Sequence, residues 1–242
     1  MQEFKFEVCA NSVESCLAAQ EGGASRVELC AGIPEGGTTP PYGDIVTARK
    51  YLTKTKLHVI IRPRGGDFLY NDLEKEIMLQ DVENAKHLGA DGVVFGCLTA
   101  DGQVDMPFMQ QLMKAADGLS VTFHRAFDVC KEPKVALEQI IELGCDRILT
   151  SGQGETAVIG IPLLKELQQQ AAGRIILLAG CGVKEHNIAR IAQETGICEF
   201  HFSAREAADS GSFIRDERLG MGGKPDQTTA RRVAETIHSL SV

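Results

Sequence analysis

His87-Leu88-Gly89-Ala90-Asp91-Gly92-Val93-Val94-Phe95-Gly96-Cys97 is the stretch whose reading decides the fold. A glycine closes one amphipathic segment, a small and a polar residue follow, and an apolar run then stops at a reactive side chain. Glycine after a helix supplies the left-handed cap that lets the chain turn into a strand. The same order recurs in EGGASRVELC (21–30), ELGCDRILTSG (142–152) and ETGICEFHFSA (194–204). A weak internal repeat of strand-plus-helix units therefore runs through the chain.

Working outward from it, eight apolar runs each end in polar or reactive residues: 4–9, 26–30, 58–67, 92–97, 121–128, 147–152, 175–182 and 199–205. Amphipathic stretches separate them at 12–21, 43–54, 73–88, 106–116, 133–143, 160–171, 184–194 and 226–239. Ser12 followed by Ser15, and Pro107 and Pro162, mark helix starts. Each unit takes roughly 30 residues, the length of a βαβ element. Eight such units predict a closed (β/α)8 TIM barrel, one domain over residues 1–242, rather than an open doubly wound sheet.

Strand parity predicts what fills the barrel. Side chains alternate between faces along a strand. In residues 4–9, Phe4, Phe6 and Val8 share one face and Lys5, Glu7 and Cys9 the other. Val27 and Leu29 likewise oppose Arg26, Glu28 and Cys30, and Phe200 and Phe202 oppose Glu199, His201 and Ser203. Helices cover the outside of such a barrel, so the polar faces point into the lumen. For the deeper members, Lys5, Arg26, Arg147 and Glu199, the structural alternative is an ion-pair lattice, because isolated buried charge is prohibitive.

Composition removes several function classes. The net charge of −8 argues against nucleic-acid binding, which needs a basic face. No apolar run approaches the ~18 residues of a membrane span. MQEFKFEVC has no basic region ahead of an apolar stretch, so no secretory leader and a cytoplasmic location are expected. The eight cysteines, with no CxxC pair, then read as free thiols or metal ligands.

Chemistry in parallel barrels sits at the C-terminal strand ends. Glu7-Val8-Cys9 and Glu28-Leu29-Cys30 end neighbouring strands, which sets Cys9 and Cys30 about 5 Å apart. Two close thiolates suit Cu(I), and the bland alternative is a pair of small buried hydrophobes. In Arg62-Pro63-Arg64-Gly65-Gly66-Asp67 the guanidinium forks suit an anion, unless Asp67 merely latches one of them. Inward-pointing His124, with Glu7, Glu28, Asp128 and His201, could move protons. Gly180, Gly182, Ser203 and Ala204 lie where loops after the seventh and eighth strands commonly hold phosphate, with Ser151 and Arg125 as further donors. No strand tip carries a lysine for a Schiff base, and no GxSxG or Walker motif is present. Gly220-Met221-Gly222-Gly223-Lys224 reads as a loop on the active side.

At these residues the chain resembles the CutC family of copper-homeostasis proteins. The resemblance is carried by EVCANSVES (7–15), RVELCAGIPEGGTTPPYG (26–43), IRPRGGDFLYND (61–72), VTFHRAFD (121–128), RILTSG (147–152) and EFHFSAR (199–205). It implies a cytoplasmic TIM barrel, a homo-oligomer (dimer or tetramer), and a Cu(I) site whose cysteines match Cys9 and Cys30. Two other readings stand beside copper. One is a lyase, isomerase or hydrolase for a small phosphorylated or carboxylated metabolite. The other uses the glutamates and histidines as ligands of a hard or borderline divalent ion.

Overall fold

The computed structural model describes residues 3–209 and 224–240. Eight parallel strands close into a barrel in chain order, with β8 hydrogen-bonded back onto β1. They are β1 (Lys5–Ala10), β2 (Arg26–Leu29), β3 (Lys56–Ile60), β4 (Gly92–Phe95), β5 (Ser120–Phe123), β6 (Arg147–Thr150), β7 (Ile176–Ala179) and β8 (Glu199–Phe202). Seven helices follow the first seven strands in turn: α1 (Val13–Glu21), α2 (Tyr42–Tyr51), α3 (Asp72–His87), α4 (Met106–Ala115), α5 (Pro133–Leu143), α6 (Ile161–Ala171) and α7 (Ile188–Thr195). Helix α8 (Ala230–His238) completes the ring. Among the described residues, no helix is long and apolar enough to cross a membrane.

Local sequence sets the helix ends. The Ser12 hydroxyl accepts the Ser15 N–H at 3.1 Å and caps α1. Asn71 and Glu74 form a reciprocal capping box on α3. Proline stands in the first turn of α4, α5 and α6, where its missing N–H has no helical partner to lose. Gly144 and Gly196 take the left-handed cap that the repeat predicted, at φ 83° and 75°.

Two boundaries differ from the sequence expectation. The runs 58–67 and 121–128 leave the sheet early, at Ile60 and Phe123, and Arg125–Val129 coils into a 3-10 helix. The stretch from 226 is not wholly helical either. Lys224–Thr228 forms β10, antiparallel to β9 (Arg205–Ala208), before α8 begins. Pro225 disguised it, since proline belongs on edge strands that need few ladder bonds. Gly220–Gly223 lie outside the described residues.

The parity argument holds in three dimensions. Phe6, Val8, Val27, Leu29, Phe200 and Phe202 are buried between strands and helices in one continuous apolar cluster. Cys30, Ile60 and Val94 form a second, small cluster inside the lumen. Below it sits a charged lattice. Arg26 pairs through Nε with Glu7 and through Nη2 with Glu199 at 2.8 Å, and Arg147 adds a bond to Glu199 at 3.2 Å. Lys5, expected among these, is exposed instead, because β1 reaches the rim of the barrel there. The lattice closes the floor of the lumen and leaves its upper end to the site.

Candidate functional site

Strand register builds the upper lumen. Cys9 lies opposite Glu28 on the β1–β2 ladder, and Glu7 lies opposite His201 on the β1–β8 ladder. Glu7, Cys9, Glu28, Cys30 and His201 therefore converge from three adjacent strands. The Cys9 and Cys30 sulfurs are 3.6 Å apart, closer than one strand spacing, because both side chains lean inward. His201 Nε2 lies 3.0 Å from Glu28 Oε2 and 3.8 Å from Glu7 Oε1. One ligand atom each from Cys9, Glu28 and His201 falls within 4.8 Å of the others, a grouping able to hold a metal ion.

Burial and charge set the protonation states. Burial disfavours the Glu7 carboxylate, but Arg26, His201 and His58 outweigh it and hold the carboxyl down to about 2. Glu28 has no arginine partner among the described residues, and burial lifts it to about 7 against the pull of His201. Burial likewise opposes a charged His201, yet Glu28, Cys9 and Glu7 raise it well above the ordinary imidazole range. The bond from Cys30, with His201 beside it, lowers Cys9 well below an ordinary thiol. Its partner Cys30 is raised by the same bond and by burial, and it also donates to the Ala10 carbonyl at 3.4 Å. The pair thus shares one proton, with the negative charge favoured on Cys9.

His124 is different in kind. Its Nδ1 accepts the Ala126 N–H at 3.3 Å, which leaves the proton of the neutral ring on Nε2. Burial, with Arg62 nearby, lowers it to about 3. As a neutral ring it presents Nε2–H as a hydrogen-bond donor beside the cavity. Gly96 makes room for it: a Cβ there would lie 2.7 Å from His124 Nδ1.

A cavity of about 380 Å³ opens above the cysteine pair. Cys9, Glu28, Arg62, His124 and Arg125 line it, as do Gly182, His201, Ser203 and Ala204 from the last two strand ends. Other nominated residues stand apart from it. Arg64 bonds Glu74 at 2.6 Å and Asp67 at 2.9 Å, so Asp67 forms a surface latch. Asp128 accepts from Thr150 Oγ1, Ser151 N and Arg125 Nε at 2.6, 3.0 and 2.7 Å, which ties the loop after β5 to that after β6. Neither Gly180 nor Ser151 reaches the cavity wall.

Two contributors escaped sequence reading. Arg205 lines the cavity and continues the inward parity of Glu199, His201 and Ser203, a signal present in the string EFHFSAR. His58 approaches Glu7 at 4.0 Å from below, and burial lowers it to about 3. Its parity along β3 was readable, but its position at the strand start drew no attention.

Comparison with known proteins agrees with this geometry. A sequence model of the CutC family matches residues 4–206. A CutC family protein of Bacteroides thetaiotaomicron is 68% identical, with 99% of each chain covered. The human copper homeostasis protein cutC homolog is 48% identical over 90% of this chain and 80% of its own. A CutC crystal structure from Streptococcus agalactiae superposes with a TM-score of 0.80 at 39% identity, covering 83% of this chain and 98% of that one. Phosphoribosylanthranilate isomerase from Thermotoga maritima, at 12% identity and a TM-score of 0.62, shares the barrel alone. With the match spanning most of the barrel, this chain belongs to the CutC family.

Proposed function

We propose that this protein serves copper homeostasis by binding Cu(I) between Cys9 and Cys30, with His201 as a third ligand. The observation that carries the reading is the 3.6 Å separation of the two sulfurs at the cavity floor, with no disulfide between them. Thiolate sulfur is a soft donor and suits Cu(I) better than a hard divalent ion. The partial anionic character of Cys9 and the adjacent imidazole supply the other donors. Ligation would require two thiolates and a neutral imidazole, so loading would release both the proton held by the cysteine pair and the one on His201, to Glu28 or solvent. The human relative's name, and 48% identity to it, support the same role.

Anaerobic titration of Cu(I) against a chromophoric Cu(I) chelator tests this. The wild type is expected to withdraw one equivalent per chain, and a Cys9→Ser, Cys30→Ser double variant to withdraw none at the same chelator concentration. Equal copper retention by the two proteins would remove the proposal.

A further inference from the structure

The cavity above the cysteines has a charge that copper binding does not call for. The whole chain carries a net charge of −8. Yet Arg62, Arg125, Lys184, Arg205 and Arg232 line this one cavity, against two carboxylates, Glu28 and Glu185. Arg125 is neutralised by Asp128, and Arg232 by Glu185. Among the described residues Arg62 and Arg205 form no ion pair.

Arg62 is the more telling of the two. It is buried, and among the described residues its Nη groups donate to the backbone carbonyls of Glu35, Gly37 and Gly66 while its Nε has no hydrogen-bond partner. A buried guanidinium without a counter-charge is costly, and neutral carbonyls compensate it only in part. Beside it, buried His124 has an Nε2 that is likewise unpartnered. The Phe68 ring packs on both, 4.8 Å from the Arg62 guanidinium carbon and 4.9 Å from the His124 ring. Arg62 Nε and His124 Nε2 thus lie together beside the cavity with no acceptor among the described residues.

The opposite wall adds a second, independent feature. Cys181 and Ala204, in the turns after β7 and β8, hold φ at 74° and 47°, a left-handed backbone that is strained for a side-chain-bearing residue. Both line the cavity. Turns after the seventh and eighth strands of a parallel barrel commonly carry phosphate-binding backbone amides. Ile33, Leu149 and Phe68 supply apolar wall for a carbon skeleton, and the volume suits a metabolite-sized ligand.

We propose that this cavity binds a small organic phosphate or carboxylate. Its oxyanion group sits between Arg62, Arg205 and the turns at Cys181–Gly182 and Ser203–Ala204, next to the cysteine pair. The proposal is independent of copper. Its test is a thermal-shift titration of copper-free protein with glycerol 3-phosphate and with malonate, each against sodium chloride at matched ionic strength. One variant accompanies the wild type: Arg205→Gln, which leaves the Arg62 carbonyl bonds intact.

The wild type is expected to show saturable stabilisation by at least one of the two probes and none by chloride. Which probe acts tells phosphate from carboxylate. Arg205→Gln is expected to weaken apparent affinity at least about ten-fold, the scale of one charge-assisted pair. A shift that chloride reproduces, the absence of any shift with both probes, or an unchanged affinity in Arg205→Gln would each overturn the proposal.

Discussion

Replacing Arg26 with methionine removes the hub of the lumen lattice and leaves Glu7 wholly buried with only His58 and His201 near it, at 4.0 and 3.8 Å. Holding the Glu7 carboxyl at about 2, against an ordinary 4.5, corresponds to about 3 kcal/mol of stability at neutral pH. Deleting one partner of a buried pair costs about 3–5 kcal/mol in general, so the two routes agree. Arg26→Met is expected to lose about 3–4 kcal/mol at pH 7 in equilibrium urea denaturation followed by circular dichroism. The pH dependence fixes the cause. In the wild type the depressed carboxyl gives stability that is present above 4.5 and fades as pH falls through about 2. In the variant, burial is opposed only by the weaker pull of His201 and His58, so the Glu7 carboxyl rises, and its penalty is small at low pH and grows as pH rises. The gap between the two proteins should therefore narrow from pH 7 to pH 5. Glu28, raised to about 7 in part by Glu7, titrates in the same window, so both proteins are compared in a Glu28→Gln background. Adding Glu7→Gln to the variant should recover part of the loss. A gap below about 1 kcal/mol at pH 7, or one that widens at pH 5, would refute the reasoning, since even an ordinary exposed pair is worth up to that much.

Three further outcomes follow from named contacts. Gly96→Ala places a Cβ 2.7 Å from His124 Nδ1 and 3.1 Å from the Phe123 ring, and overpacking of this kind should cost about 1–3 kcal/mol in thermal or urea unfolding. Asp128→Ala strands the Thr150 and Ser151 donors and Arg125, so a comparable loss of about 1–3 kcal/mol is expected in the same assay, with copper uptake unaltered. Iodoacetamide at pH 6, read by peptide mass spectrometry, should label Cys9 ahead of the buried Cys16, Cys97 and Cys145, because its lowered pKa keeps thiolate present as pH falls. Cys30→Ala should slow that labelling, and a Cys9 rate dropping about ten-fold per pH unit below pH 8 would contradict the shared proton.

The barrel was legible because its periodicities are global. Eight apolar runs, glycine-marked helix ends and strict parity in β1, β2 and β8 all express one packing rule, that helices cover the outer face. The same parity brought Glu7, Cys9, Glu28, Cys30 and His201 together before any coordinates. What parity cannot reach is the loops. Arg64 and Asp67 read as strand-end anion ligands, but the chain turns away after Ile60 and Glu74 on α3 takes Arg64. Asp128 looked like part of the His124 site, yet the 3-10 turn at Arg125–Val129 rotates it toward the β6 loop. The inward placement of His124 was legible, whereas its tautomer and lowered pKa depend on Ala126 and Arg62, contacts with no periodic signature. The β9–β10 hairpin joins segments about twenty residues apart through a proline-bearing edge strand, and no local pattern announces it.

X-ray absorption spectroscopy of the Cu(I)-loaded protein addresses the metal centre itself. The sulfurs of Cys9 and Cys30 with His201 predict a three-coordinate shell of two sulfur scatterers and one nitrogen, lost altogether in the Cys9→Ser, Cys30→Ser variant. A shell of nitrogen and oxygen alone, or one that persists in that variant, would contradict the account.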